Sequence, residues 1–204
     1  AHRIWETPEV GLQEEESSAT LIEPLESEGF EVERNIGSMP TSFVASYGET
    51  GPKIGILGEY DALPGLSQKV TDERESKEDG APGHGCGHNL LGTAGVGAAI
   101  AVKEAIDAGE IEGTVVYYGC PSEENLVGKI YMARAGVFDD LDAALTWHPN
   151  DLSTPSMGTS NAVNSLEFTF EGVSAHAARS PESGRSALDA VQLLNTGVEY
   201  MREH

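Results

Sequence analysis

Two side chains that commonly bind metals stand one residue apart in a glycine-rich stretch. Cys86 and His88 lie within residues 83–89, GHGCGHN. Glycines allow a positive φ and let the backbone approach an ion closely. Asn89 is a residue type that caps helix N-termini, so we expect a helix to start there and to favour a thiolate at Cys86. The alternative is a capped loop with a buried free cysteine, and this stretch alone does not decide between the two.

Carboxylate and imidazole side chains follow three strands predicted elsewhere in the chain. Asp61 follows one strand, Glu123 and Glu124 follow another, and His148 follows a third. In open α/β sheets, ligands bind outside the carboxyl ends of the strands. The sequence therefore predicts that these side chains meet the Cys/His stretch at one edge of a sheet.

The chemistry expected of this set is metal-dependent hydrolysis. Cysteine, histidine and carboxylate together suit borderline cations such as Zn²⁺, with Mn²⁺ and Co²⁺ as alternatives. One glutamate of the pair can ligate the metal while its neighbour takes a proton from metal-bound water, whose pKa the metal lowers towards about 7. Taken singly, adjacent glutamates are usually a solvated loop, His148 a structural histidine and Asp61 a turn residue. Only their convergence favours the metal site, and Cys120 is interpreted as a core thiol.

Strands that alternate with helices predict the scaffold for these residues. An amphipathic helix is expected over residues 13–28, with Gly29 as its stop, and an apolar helix, buried almost all round, over residues 90–106, closed by Gly109. Segments rich in β-branched and aromatic residues predict strands, and one more helix is expected over residues 126–135. The predicted strands are 30–36, 41–47, 53–57, 114–118 and 143–146. The alternation predicts an α/β fold with a mostly parallel sheet flanked by helices.

Two stretches fall outside that pattern. Residues 67–82 are nearly all polar or charged, which predicts an exposed, mobile loop leading into the Cys/His stretch. Residues 161–170 alternate in part, which predicts a half-exposed strand of another sheet, and a long helix is expected from Ser186 to about Arg202. We therefore expect a domain boundary near residue 155, with a metal-binding catalytic part over 1–155 and a second domain over 156–204.

Composition excludes several classes of protein. With 39% hydrophobic residues in 204, the chain has the material for a core and is not of disordered composition. It shows no secretory leader, no apolar run long enough to span a membrane and only two cysteines, so a cytoplasmic protein with free thiols is expected. A net charge of −22 argues against nucleic acid or an anionic membrane as partner. Acidic residues scattered along the chain favour a halophilic source, and an acidic mesophilic enzyme is the alternative.

The combined motifs resemble those of one known family. Residues 59–67 (EYDALPGLS), 83–89 (GHGCGHN), 119–124 (GCPSEE) and 147–149 (WHP) are similar to motifs of the dinuclear metallo-amidohydrolases. This family holds bacterial aminoacylases, plant auxin-conjugate hydrolases and carboxypeptidase-like enzymes. The resemblance extends from residue 1 to residue 204. It implies a zinc-exopeptidase-like catalytic domain that cleaves the amide bond of a small N-acyl or N-aroyl amino acid, such as aminobenzoyl-glutamate.

The resemblance also implies roles for single residues. Four positions match the family's ligands for two divalent cations: Cys86, His88, Glu124 and His148. Glu123 matches the general base, and Asp61 matches an acid beside the metal centre. The tail resembles the start of a ferredoxin-like α+β dimerisation domain, or lid. In the lid, His176 matches a histidine that reaches a neighbouring subunit's site to stabilise the oxyanion, although the residues alone would make it a turn residue.

The resemblance is incomplete at the C-terminal side. Family members run to roughly double this length, and one further histidine ligand comes from their C-terminal part. The chain is therefore expected to be a fragment with a truncated lid, and to be inactive by itself. The expected assembly of the full-length protein is a homodimer through the lid, with a hetero-subunit as the alternative. A non-catalytic metal-binding or interaction module and a purely structural acidic protein stay open as other functions.

The high net charge predicts that stability depends on salt. The chain has 34 acidic but only 12 basic residues, and repulsion among the excess negative charges destabilises the folded state. Added salt screens it, because the Debye length falls from about 30 Å at 0.01 M to about 3 Å at 1 M. We expect the melting temperature to climb steadily as KCl is added, and calorimetry across that range measures it. A flat curve would contradict the halophilic interpretation.

Overall fold

The structure, a computed structural model, describes residues 1–155, 158–159 and 161–202. The chain forms two compact units, Ala1–Ser153 and Thr154–His204. The division lies close to residue 155, where the sequence predicts a domain boundary. The assignment of the two units as catalytic and lid domains stays a prediction, and the expected domain residues 156, 157, 160, 203 and 204 lie outside the described part.

The first unit is built on a five-stranded sheet. Its strands are β1 (Glu31–Arg34), β2 (Phe43–Tyr47), β3 (Lys53–Glu59), β4 (Thr114–Cys120) and β5 (Ala143–Leu145). Their spatial order is β1-β2-β4-β3-β5. β3 pairs in parallel with β4 and β5, whereas β2 runs antiparallel to both its neighbours. The α/β fold is confirmed, and the sheet is mixed because β2 alone among these strands points the other way.

Helices cover both faces of this sheet. They are α1 (His2–Glu6), α2 (Glu15–Ser27), α3 (His88–Asp107) and α4 (Gly128–Arg134). Alternate side chains of β4 enter two different cores, since Val115 and Tyr117 pack with residues of α1, α2 and α3. Val116 and Tyr118 pack with Met132 of α4 on the opposite face. The central strand is therefore covered on both sides, as its unbroken apolar sequence predicts.

Helix α3 differs from its prediction in two respects. It begins at His88, and the residue at its N-cap is Gly87, in the left-handed region with φ 82°, rather than Asn89. Only one face of the helix is buried, because the sheet lies on one side of it. The outer face is exposed, and Leu90 there is 51% exposed. The prediction of a helix buried almost all round is therefore wrong. Small residues such as Ala94 and Gly97 can lie on the exposed face, because each of them exposes little apolar surface.

In its described part, the second unit contains one α-helix, α5 (Ala187–Glu199), and a short 3-10 helix, Pro181–Ser183. Ser186 caps α5, accepting a hydrogen bond from the Asp189 amide at 3.0 Å. Residues 161–170 do not form the predicted strand. An extended segment becomes a strand only by pairing, and the backbone pairing described in this unit is a single bridge between Val173 and Arg185.

Residues 67–82 are largely exposed and form neither helix nor strand. A hydrogen bond from the Ser67 amide to the Ala81 carbonyl, 3.0 Å long, closes the base of this loop. Its mobility stays a prediction. Among the described residues, no helix has the length and apolar character needed to cross a membrane.

Two glycines test how tightly the first unit is packed. A Cβ added to Gly119 of β4 would overlap the ring of Phe43, which is fully buried, whereas a Cβ on Gly97 of α3 meets nothing within 4 Å. We expect Gly119→Ala to lower the free energy of unfolding by about 1–3 kcal/mol through overpacking. Gly97→Ala should raise it by about 0.5–1 kcal/mol, because alanine favours a helix. Urea unfolding measures both, and equal effects would contradict the packing described.

Candidate metal centre

The carboxyl ends of β3, β4 and β5 meet the start of α3 at one edge of the sheet. Seven residues come together there: Glu59, Asp61, Cys86, His88, Glu123, Glu124 and His148. We call this group the strand-end cluster. It contains every candidate that the sequence singled out in the first unit, and it adds Glu59.

His88 is the centre of the cluster and is fully buried. Its Nδ1 lies 2.9 Å from Asp61 Oδ1 and 3.1 Å from the Asp61 backbone carbonyl. A carbonyl oxygen only accepts, so Nδ1 carries the hydrogen and Nε2 is left to bind a proton or a cation. Nε2 faces three carboxylates, at 3.2 Å from Glu59, 3.7 Å from Glu123 and 3.9 Å from Glu124.

The carboxylates around His88 favour a positive charge at this point. Burial lowers the pKa of His88, but the hydrogen bond to Asp61 and the negative charge of Asp61, Glu59 and Glu124 raise it above its ordinary value. A bound divalent cation would stabilise the same carboxylates more strongly than a proton on His88, because it carries two positive charges instead of one.

While His88 Nε2 carries no proton, three buried atoms of the cluster lack a hydrogen-bond partner: Glu59 Oε2, His88 Nε2 and Glu124 Oε1. Buried polar atoms without partners cost about 1–3 kcal/mol each, so native structures leave few of them. All three are atoms of types that bind metals, and the two carboxylate oxygens lie 3.2 and 3.9 Å from His88 Nε2. The residues present therefore fit a divalent cation held at this place.

Two overlapping groups of ligand atoms share His88. One atom from each of Cys86, His88 and His148 lies within 4.8 Å of the others, and the same holds for Glu59, His88 and Glu123. Cys86 Sγ is 3.2 Å from His148 Nε2, and the rings of His148 and His88 stand nearly perpendicular, at 88°. The donor set of thiol, imidazole and carboxylate matches the chemistry of borderline divalent metals.

Asp61 is more than a turn residue, because its carboxylate holds two members of the cluster. It is buried, and while Oδ1 faces His88, Oδ2 accepts a hydrogen bond from the Glu124 amide at 2.9 Å. Burial raises the pKa of Asp61, but the hydrogen bonds from His88 and Glu124 outweigh it and hold the pKa below its ordinary value. Asp61 therefore acts as an anion that orients a histidine ring and a backbone segment.

Cys86 departs from its expected chemistry in the absence of a cation. The start of α3 was expected to favour a thiolate. Burial and the carboxylates of Glu124, Glu123 and Glu59 instead raise the pKa of Cys86 to about 11. Several full negative charges outweigh the partial positive charge of a helix N-terminus, so only a bound cation can favour the thiolate here.

Glu59 and Lys129 are the parts of the site that the sequence did not reveal. Glu59 ends β3 and stands two residues before Asp61, so the two point to the same side of an extended strand. That spacing was the available signal. Lys129, in the first turn of α4, makes an ion pair with Glu59 Oε1. This ion pair places one positive charge beside the carboxylates. No local sequence pattern predicts it, because the two residues are 70 positions apart.

Glu123 and His176 occupy different surroundings. The Glu123 side chain is 32% exposed, so it lies at the rim of the cluster. Burial and the charge of Glu59 raise its pKa. His176 belongs to the second unit, where its Nδ1 accepts a hydrogen bond from the Ala178 amide at 3.2 Å, as in a local turn. The role of His176 in stabilising the oxyanion at a neighbouring subunit's site stays a prediction.

Comparison with known proteins gives consistent matches. The sequence model of peptidase family M20/M25/M40 matches residues 55–202. The chain is 50% identical over 205 residues to one of the subunits of the p-aminobenzoyl-glutamate hydrolase of Escherichia coli, and the match covers 100% of this chain and 43% of that protein. It is 31% identical to the Xaa-Arg dipeptidase of Mus musculus, over 98% of this chain and 45% of the relative. The chain thus spans less than half the length of these relatives.

Solved structures share the fold. The YXEP protein of Bacillus subtilis, described as a dinuclear metal-binding peptidase of the M20 family, matches with a TM-score of 0.60 and 31% identity, over 70% of this chain and 39% of that one. An aminobenzoyl-glutamate utilization protein from Klebsiella pneumoniae matches with a TM-score of 0.58 over 91% of this chain and 52% of that one. At 18% identity, the second match speaks for the fold alone.

The two cysteines give a matched test of the metal centre. Both are free, but Cys86 lies in the cluster, whereas Cys120 is buried at the end of β4. In the full-length protein, we expect Cys86→Ala to weaken cation binding by at least about 10-fold, since even indirect partners of a metal are worth that much. Cys120→Ala should leave binding unchanged. Elemental analysis after dialysis against defined free Zn²⁺ measures the occupancy, and equal occupancy in the two variants would remove Cys86 from the ligand set.

Proposed function

We propose, because the chain belongs to peptidase family M20/M25/M40, that the full-length protein hydrolyses the amide bond of N-acyl or N-aroyl amino acids. The observation that carries the proposal is that two buried, unpaired carboxylate oxygens, of Glu59 and Glu124, face His88 Nε2 beside the partly exposed Glu123. The 50% identity with the Escherichia coli hydrolase favours an aroyl-glutamate, p-aminobenzoyl-glutamate, as substrate.

Two divalent cations are proposed as cofactors, Zn²⁺ or Mn²⁺, with Co²⁺ as the alternative. Four residues would hold them: Cys86, His88, Glu124 and His148. Glu59 Oε2, unpaired and directed at His88 Nε2, supplements this set. When bound, the cations supply Lewis-acid polarisation of the scissile carbonyl and lower the pKa of the attacking water.

Glu123 is the proposed general base. Its exposed position lets it meet water and substrate, and its raised pKa brings it closer to the working pH, where a base that must later act as an acid is most effective. One of its oxygens accepts the proton of the attacking water. The same proton then passes to the leaving nitrogen, so that the amide splits into a carboxylic acid and an amino acid.

The remaining members of the cluster hold these groups in place. Asp61 fixes the ring of His88 and the backbone of Glu124 with one carboxylate. Lys129 balances the charge of Glu59. Because these partners are themselves buried or half-buried, the geometry around His88 Nε2 is set before any substrate binds, which is what rapid chemistry requires.

The second unit is proposed to take part in assembly. A homodimer through this unit would let His176 reach the neighbouring subunit's site and stabilise the oxyanion. The Escherichia coli relative is named as one subunit of its enzyme, so a hetero-subunit is the alternative. The two free thiols support a cytoplasmic location. The net charge of −22 supports a halophilic source, whose cytoplasm is rich in salt.

Turnover by the full-length protein tests the function directly. The protein is purified without chelator and assayed on a panel of N-acyl amino acids that includes p-aminobenzoyl-glutamate and an N-acetyl amino acid. We expect hydrolysis that a chelator abolishes and that added Zn²⁺ or Mn²⁺ restores. Firm cation binding without turnover of any member of the panel would instead indicate a non-catalytic metal-binding module.

The two adjacent glutamates should give opposite phenotypes. Glu123→Gln removes the proton acceptor and should lower kcat by roughly 10²–10⁴-fold while the metal content stays unchanged. Glu124→Gln replaces a proposed ligand with an amide of similar size, so it should lower the metal content first. Steady-state kinetics together with elemental analysis distinguishes the two. Reversed phenotypes would show that the base and the ligand are exchanged within the pair.

A further inference from the structure

We propose that Glu14 is a positioning residue, whose buried carboxylate holds the turn that carries Glu123. The inference rests on the proposed hydrolysis and adds a residue to it that lies far away in sequence and does not touch the substrate. Glu14 directly precedes α2 and is completely buried. A buried carboxylate is expensive unless it is well hydrogen-bonded, so its partners decide what keeps it there.

Those partners lie in two different parts of the first unit. Glu14 Oε1 accepts a hydrogen bond from the Ser122 backbone amide at 2.7 Å. Oε2 accepts one from Thr41 Oγ1 at 2.8 Å. Hydrogen bonds to an ionised carboxylate are roughly twice as strong as neutral ones. The residue next to Ser122 in the chain is Glu123, so this amide is the closest fixed point on the N-terminal side of the proposed base.

The turn after β4 needs such a fixed point. Ser122 has a φ of 53° and Leu126 a φ of 56°, and neither is glycine. Non-glycine residues in this left-handed region cost on the order of 1–3 kcal/mol each and persist only where the surroundings hold them. Ser122 is fully buried, and its Oγ accepts a hydrogen bond from Asn125 Nδ2 at 3.0 Å. Glu14 supplies the hydrogen bond that fixes its backbone from outside the turn.

The anchor itself is tied to the other side of the cluster. The Thr41 carbonyl accepts a hydrogen bond from Tyr60 Oη at 2.6 Å, and Tyr60 is completely buried. Tyr60 stands between Glu59 and Asp61 in the chain. A continuous path from Ser122 through Glu14 and Thr41 to Tyr60 therefore fixes the turn after β4 relative to the end of β3. These are the two places that supply the carboxylates of the cluster.

The backbone of Glu124 has a hydrogen bond to a residue outside the turn, whereas the backbone hydrogen bond of Glu123 lies within the turn. The Glu124 amide donates to Asp61, so Glu124 stays in place when the Ser122 contact is lost. The side chain of Glu123, between the hydrogen-bonded amides of Ser122 and Glu124, depends on both. Loss of the Glu14 carboxylate should thus affect proton transfer more than cation binding.

Glu9 offers a matched control from the same segment. Its carboxylate accepts hydrogen bonds from the Glu16 amide at 3.0 Å and from the amide and hydroxyl of Ser17 at 2.8 and 2.7 Å. In the described structure, all of these bonds stabilise the start of α2. Replacing Glu9 removes a carboxylate with several partners, but none of the hydrogen bonds that link Ser122, Glu14, Thr41 and Tyr60.

The experiment compares Glu14→Leu, Glu14→Gln and Glu9→Leu in the full-length, metal-saturated enzyme with an acyl-amino-acid substrate. We expect Glu14→Leu to lower kcat roughly 10²-fold, the loss typical of a small displacement of a reacting group, with little change in KM. Glu14→Gln keeps a carbonyl acceptor for the Ser122 amide and should retain most of kcat. Glu9→Leu should lower the melting temperature but leave kcat unchanged.

Hydrogen exchange gives a readout that does not depend on turnover. The backbone amides of residues 122–127 should exchange faster in Glu14→Leu than in Glu9→Leu, when the two variants are compared under conditions that give them the same free energy of unfolding. If Glu14→Leu does not fold, Glu14→Asp, one methylene shorter, replaces it, and a loss of about 10-fold in kcat is expected, as for a general displacement of reacting groups. Unchanged kcat and unchanged exchange of this turn in the Glu14 variants would overturn the inference while the proposed function stands. A wild-type protein that hydrolyses no acyl amino acid would overturn both.

Discussion

Concentrated negative charge in a buried place is the constraint on which this site depends. Glu59, Glu123 and Glu124 all approach one nitrogen of His88 within 3.9 Å. Among the ion pairs of the described residues, Lys129 is the only lysine or arginine paired with a cluster member. Carboxylates so close together repel one another unless a positive charge lies between them. Burial lowers the pKa of His88, but the carboxylates raise it above its ordinary value, and burial together with the carboxylates raises the pKa of Cys86.

The sheet makes that concentration of charge possible. Parallel pairing of β3 with β4 and β5 brings three strand ends to one edge, and α3 starts at the same place. Close packing at those ends leaves little freedom to relax, since a Cβ on Gly58 would overlap Tyr117. A side chain at Gly92 of α3 would press on the Glu59 carbonyl, at 2.6 Å. The strands therefore hold the carboxylates against their mutual repulsion.

Local patterns predicted most of the elements and most of the cluster, and they failed where distant residues decide. Apolar runs and strand ends were enough to place Asp61, Glu123 and His148 at one edge, because parallel strands share their direction. The role of Glu14 depends on a residue 108 positions away, which no local pattern contains. The predicted strand over residues 161–170 failed for the same reason, because its pairing partner would also have to come from elsewhere.

The turn after β4 explains how two adjacent glutamates can face one histidine. Neighbouring side chains on an extended backbone point to opposite sides. Here the left-handed Ser122 bends the chain, and hydrogen bonds from the amides of Leu126 to Glu123 and of Val127 to Ser122, at 2.7 and 3.2 Å, close a tight turn. Both carboxylates then lie within 3.9 Å of His88 Nε2. Glu124 Oε1 is buried there, whereas the Glu123 side chain is 32% exposed. Because the two side chains are chemically identical, their different surroundings follow from the backbone, and the strained conformation of this turn separates the proposed ligand Glu124 from the proposed base Glu123.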